Sequence, residues 1–109
     1  MELDNTTRDI MLLDIYGGLL TPRQLSLMKQ HLEEDLSLGE IAELEGISRQ
    51  GVRDCIVKGE SVMLRAEEKL GLLAKELRLR ALLEEMKRAS AEGEASLARY
   101  IAELSDILA

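Results

Sequence analysis

Arg49, Gln50, Arg53 and Lys58 fall close together in the stretch SRQGVRDCIVK. Guanidinium, ammonium and primary amide groups are those that bind phosphate oxygens and base edges. By type, Arg49 and Lys58 suit phosphate, and Gln50 and Arg53 suit bases. All four are candidate contacts to nucleic acid or to a partner; the plainer reading is a solvated helix face. A second set, Glu33, Glu34, Asp35, Glu40, Glu43 and Glu45, offers an acidic surface to a basic protein, or serves only solubility and capping. Little else gathers chemistry. The lone Cys55 excludes an internal disulfide and reads as a small core residue, and His31, a surface or boundary residue, has no second His or Cys near it for a zinc site. With no glycine-rich phosphate loop, triad or ligand cluster, no enzyme activity, metal or cofactor is expected.

The elements that position the four candidates are written in LSLGEIAELEGISRQGVRDCIVK, residues 36–58. Ser37 followed by Glu40 is a capping box, so a helix starts at Leu38. Ile41, Ala42 and Leu44 form its inward side. Gly46 stands where a helix ends in the left-handed conformation, Ile47 packs down, and Ser48 caps the next helix. Val52 and Ile56, four apart, turn that helix back onto the first and leave Arg49, Gln50, Arg53 and Asp54 outward. This is a helix-turn-helix, whose second helix is shaped to enter a major groove.

Composition supports an all-α fold. Phe and Trp are absent and Tyr16 and Tyr100 are the only aromatics, so the core of this 109-residue chain must come from Leu, Ile, Met, Val and Ala. No apolar run reaches the roughly 18 residues a membrane span needs, and the acidic start MELDNTTRD lacks a signal peptide's cationic end, so a cytoplasmic protein with no membrane insertion is expected. The net charge of −7 opposes polyanion binding unless some face is locally basic. Only the segment from Ser48 to Lys58 is.

Around the motif, Asn5, Thr6 or Thr7 can cap a first helix to about Tyr16, with Ile10 and Leu13 inward and Met11 and Tyr16 as further candidates. Gly17-Gly18 ends it. Thr21-Pro22 starts a second helix to about Glu34 that turns Leu25, Met28 and Leu32 inward. Gly59 either permits a bend or sits within a continuous helix, and the domain division is placed there: 1–59 with the motif, 60–109 as a packing or dimerisation extension. From Glu60 to Ala89 only Gly71 interrupts a long helix. Its apolar groups form two stripes, one of Met63, Ala66, Leu70, Leu73, Leu77 and Ala81, the other of Leu72, Leu79, Leu83 and Met86. Ser90 to Gly93 reads as a turn. A last helix, about Glu94 to Leu108, carries a seam of Leu97, Ile101, Leu104 and Leu108 for packing on the long helix or across a homodimer.

The combination LLTPRQ, DLSLGEIAE, ISRQGVRDCI and EEKLGLL resembles the YlxM-like family from about Leu19 to Leu73. The resemblance implies an all-α fold with a helix-turn-helix similar to region four of bacterial sigma factors, and the residue pattern adds a long helix and a C-terminal helix after it. It also implies a regulatory or accessory role in the signal recognition particle pathway, with the particle's protein or RNA as partner. The alternative is a DNA-binding transcriptional regulator using the same motif as a dimer. Gly51 stands where the family tends to have alanine, Arg53 where it has tyrosine, and Val57-Lys58 where it has a lysine-arginine pair.

Overall fold

Local capping chemistry sets most helix starts. The computed structural model describes residues 3–91 and 97–109, and helices make up most of them. Helix α1 (Asn5–Tyr16) is capped by Asp4, whose carboxylate accepts the Thr7 N–H at 2.7 Å. The cap therefore falls one residue before Asn5, where the carboxylate also gains from the helix dipole. Helix α2 (Pro22–Leu32) carries a complete capping box between Thr21 and Gln24, and α3 (Leu38–Glu45) another between Ser37 and Glu40. At the end of α3, Gly46 takes φ +68°. The Ser48 hydroxyl then accepts the Gly51 N–H at 2.9 Å and starts α4 (Arg49–Leu70). Two further helices follow, α5 (Leu72–Ala91) and α6 (Leu97–Leu108). No strand occurs among the described residues.

The continuous helix expected from Glu60 to Ala89 is two helices. Gly59 lies inside α4, whereas Gly71, at φ +62°, parts α4 from α5. Helix propensity treats the two glycines alike; packing separates them. A Cβ on Gly59 would come within 2.7 Å of the Met28 sulfur, so this glycine lets α2 cross close over α4. On Gly71 a Cβ would meet nothing within 4 Å, and what its position requires is the positive φ. Ser90 and Ala91 continue α5, while the rest of the expected turn and the expected helix start at Glu94 lie outside the described residues. The chain divides into two compact units, Met1–Leu70 and Gly71–Ala109, rather than at Gly59.

In the first unit Leu27, Ile41 and Val52, from α2, α3 and α4, form a fully buried cluster, with Ile47, Cys55 and Ile56 packed on it. This fixes the angle between the motif's two helices. Helix α1 buries Asp9, Leu12, Leu13 and Tyr16, one face at spacings of three, one and three, while Ile10 is only half-buried. Along α4, Arg8 reaches Glu60 at 3.7 Å and the Tyr16 hydroxyl donates to Glu67 at 2.7 Å. The two helices thus run parallel, and α4 is the spine of the unit: its start packs on α3, its middle on α2, its end along α1.

The second unit is a helical hairpin. Leu82 of α5 and Tyr100 and Ile107 of α6 are buried, with Leu79, Met86, Ala89 and Leu104 packed against them. Ion pairs Arg78–Asp106 at 3.5 Å and Arg99–Glu85 at 3.2 Å make the helices antiparallel. The face of α6 turned to α5 is thus that of Tyr100, Leu104 and Ile107. Leu97, Ile101 and Leu108 of the expected seam are 62%, 54% and 71% exposed.

Candidate nucleic-acid and partner interface

The four candidate side chains all lie on the first turns of α4 and all are exposed. They do not form one surface. At 100° per residue, Lys58 falls half a turn round the helix from Arg49 and about 140° from Arg53. Arg49 leaves the helix altogether and folds back over the first turn of α3. Its Nη2 atom would lie 2.7 Å from a Cβ on Gly39, in a shallow cleft that Glu40 and Glu43 also line. The amide of Gln50 donates to the Asp54 carboxylate at 2.8 Å, one turn on. Arg53 and Lys58 remain, and neither bonds or pairs with any described residue.

Between Arg53 and Lys58, the outward face of α4 is not basic. Gln50, Val57 and Leu64 recur at intervals of seven and form one row; Asp54, Ser61 and Glu68 form the next. Val57 is 49% exposed and Leu64 36%. A carboxylate in the middle of a recognition surface repels phosphate, and exposed apolar side chains gain nothing from it. This surface suits a protein at least as well as a duplex.

Beside the motif, α2 and α3 enclose an open groove of about 640 Å³. Leu25, Leu36 and Leu44 line it together with Lys29, Glu34 and Glu45. Leu44, expected inward from its spacing, is one of the most exposed leucines in the chain. Ile41 is fully buried with Leu38 and Ala42 packed beside it, so the contact face of α3 turns toward those residues and away from Leu44. Gln30 and Glu45 approach at 3.4 Å across the groove. Of the acidic set, Glu40 is committed to its capping box, whose bonds with Ser37 hold its carboxyl below the usual range. Asp35 shapes the backbone, terminating α2 at φ +58°, and the Leu36 N–H returns to the Gln30 carbonyl at 3.1 Å. His31, half-buried, closes the same turn by donating from Nδ1 to the Leu36 carbonyl at 2.8 Å.

One polar cluster has no sequence signal. Asp9, 8% exposed, receives the Arg8 guanidinium at 3.0 Å and meets Glu60 across the α1–α4 contact. The hydrogen bond to Asp9, with burial and the Asp9 charge, pushes the Glu60 carboxyl up to about 7 against the opposing pull of Arg8. The positions i and i+3 that Asp9 shares with Leu12 are the only hint available beforehand.

Among the described residues no three His, Cys, Asp or Glu side chains gather to hold a metal ion, and no helix is long and apolar enough to cross a membrane. The family described as "Putative helix-turn-helix protein, YlxM / p13 like" matches residues 3–103. A UPF0122 protein of Geobacillus kaustophilus is 41% identical over 96% of this chain and 98% of its own length. One from Exiguobacterium sibiricum is 42% identical, covering 87% of this chain and 90% of the relative. Another, from Acetivibrio thermocellus, reaches 51% identity over 67% of this chain and 62% of the relative.

Proposed function

The chain belongs to the YlxM/p13-like helix-turn-helix family, UPF0122, and from that premise we propose a cytoplasmic regulatory or accessory protein of the signal recognition particle pathway. It acts by protein or ribonucleoprotein contact through the helix-turn-helix unit. The observation that carries protein contact over duplex reading is the outward face of α4, where Asp54 engages Gln50 and Val57 and Leu64 stand exposed. The α2–α3 groove, where Glu34 and Glu45 outnumber Lys29 around Leu25, Leu36 and Leu44, suits a basic amphipathic segment of such a partner. The test is co-purification of the full chain with the particle's GTPase and RNA from cytoplasmic extract. Retention of either is expected, with loss on Leu44→Glu; no complex at micromolar concentration overturns the reading.

A DNA-binding regulator is the second reading, favoured by the capped α3–α4 pair and by the exposed Arg53 and Lys58, which pair with no described residue. Fluorescence anisotropy with duplex DNA at low salt decides it. No binding at about 50 mM salt removes this alternative, since counterion release makes that condition the most favourable.

A further inference from the structure

Helix α6 is apolar over far more of its circumference than α5 covers. Taking 100° per residue, Tyr100 and Ile107 face α5; Leu97, Leu108 and Ile101 lie about 60–120° further round, followed by Ser105, Ala98, Ala109 and Ala102. No charged residue interrupts that arc. The hairpin's ion pairs, Arg78–Asp106 and Arg99–Glu85, close its opposite edge. On α5, Leu83, 49% exposed, lies more than a third of a turn from Arg78 and Glu85, on the side where α6 presents Leu97 and Ile101, and the ion pairs Arg80–Glu76 and Lys87–Glu84 border it. One edge of the hairpin is therefore closed by ion pairs between the helices, and the other presents the open apolar arc of α6 beside Leu83.

We propose that this open edge is an interface with a second copy of the chain, the two α5–α6 hairpins completing a helical bundle about a two-fold axis. Shape favours a self-match. The large side chains Leu97, Ile101 and Leu108 form a ridge beside a furrow of Ala98, Ala102, Ser105 and Ala109, so an antiparallel copy lays each ridge in the other's furrow. Charge favours it too. Residues 71–109 hold six basic and seven acidic groups, whereas residues 1–70 hold eight and fourteen, so the hairpins meet with almost no net repulsion and the surplus negative charge stays on the other unit. In size, α6 is about 18 Å long and packed helices lie about 8–10 Å apart, a strip of roughly 150–180 Å², so the two-fold contact also takes in the Leu83 side of α5 to approach the area of a specific interface. The inference is independent of the partner proposed for the helix-turn-helix.

Sedimentation equilibrium of the full chain tests it. The expected result is a dimer in the micromolar range, with the dissociation constant raised at least tenfold by Ile101→Glu and by Leu108→Lys, while Leu44→Glu on the other unit changes nothing. Circular dichroism accompanies each variant. Leu108→Lys, at the last turn of α6, can unwind little and so serves where Ile101→Glu loses helix. A monomer at about 100 µM, an assembly larger than a dimer, or a dimer indifferent to both hairpin variants overturns the proposal.

Discussion

Two carboxyl-bearing residues sit in conformations or surroundings that cost the fold something. Asp35 holds φ +58°, a region that charges a side chain with a Cβ roughly 1 kcal/mol that glycine does not incur, and it adds negative charge to the end of α2. Asp35→Gly is therefore expected to stabilise the protein by about 0.5–1 kcal/mol, read as a higher urea midpoint. Glu60 acts through pH. Its folded value of about 7 is above the ordinary 4.5, so between those limits the native state holds a proton that the unfolded chain has released. The stabilisation is complete below about 4.5 and is lost as pH rises through 7. Asp4 and Glu40 have the opposite sign: their lowered values make their contributions vanish only below the ordinary carboxylate range. Stability is thus expected to peak in mildly acid solution. Between pH 5.5 and 8 the Glu60 contribution falls by roughly 1 kcal/mol, discounted because the side chain is 35% exposed. Glu60→Gln keeps a donor toward Asp9 without the proton, so urea midpoints of variant and wild type should converge at pH 5.5 and separate at pH 8 in the variant's favour. Equal pH dependence in the two proteins would dismiss the shared proton.

The elements separate what neighbouring residues can announce from what only a distant helix can. Caps at Thr21, Ser37 and Ser48 and the glycine turn at Gly46 depend on residues within one turn, so their positions, and for Ser37 its partner Glu40, were legible in the chain. So was the inward pair Val52 and Ile41. Gly59 was not, because a glycine inside a helix looks the same whether or not another helix crosses it; Met28 of α2 supplies the missing fact. Leu44 and the α6 seam fail for a related reason. When apolar residues extend well beyond one face, periodicity shows that a helix is amphipathic but leaves the choice of contact edge to its neighbour. The four interface candidates were found by type, and the separation of Lys58 follows from the 100° spacing; what spacing does not encode is the course of the side chains, Arg49 over Gly39 and Gln50 bonded to Asp54. The two glycines make a paired test of this distinction. Gly59→Leu overpacks the α2–α4 crossing and should cost about 1–3 kcal/mol, whereas Gly71→Ala meets no neighbour and should cost only the positive-φ strain, about 1 kcal/mol. Chemical denaturation monitored by circular dichroism measures both, and a harmless Gly59→Leu would mean that α2 does not need this close approach.

Across the whole chain, charge is partitioned rather than spread, with the first unit carrying six of the seven net negative charges. The first unit is therefore acidic, and on the early turns of α4 Arg53 and Lys58 are exposed cations that pair with no described residue. Counterion release then limits what nucleic acid can gain. Each neutralised phosphate contributes a slope of about −0.9 in log K against log salt, so two contacts give about −2 and a loss of roughly tenfold between 50 and 200 mM, where a reader with six to ten contacts loses about 10³ to 10⁵. Self-association through the α5–α6 edge has the opposite dependence. Its contact is apolar, and salt screens the repulsion between the acidic units, so the dimer should hold or tighten over the same range. Anisotropy with RNA or DNA and sedimentation without it, both run across that salt series, separate the two behaviours. A slope near −2 that halves in Arg53→Ala assigns the nucleic-acid contact to α4; a slope several times steeper would require cations beyond Arg53 and Lys58.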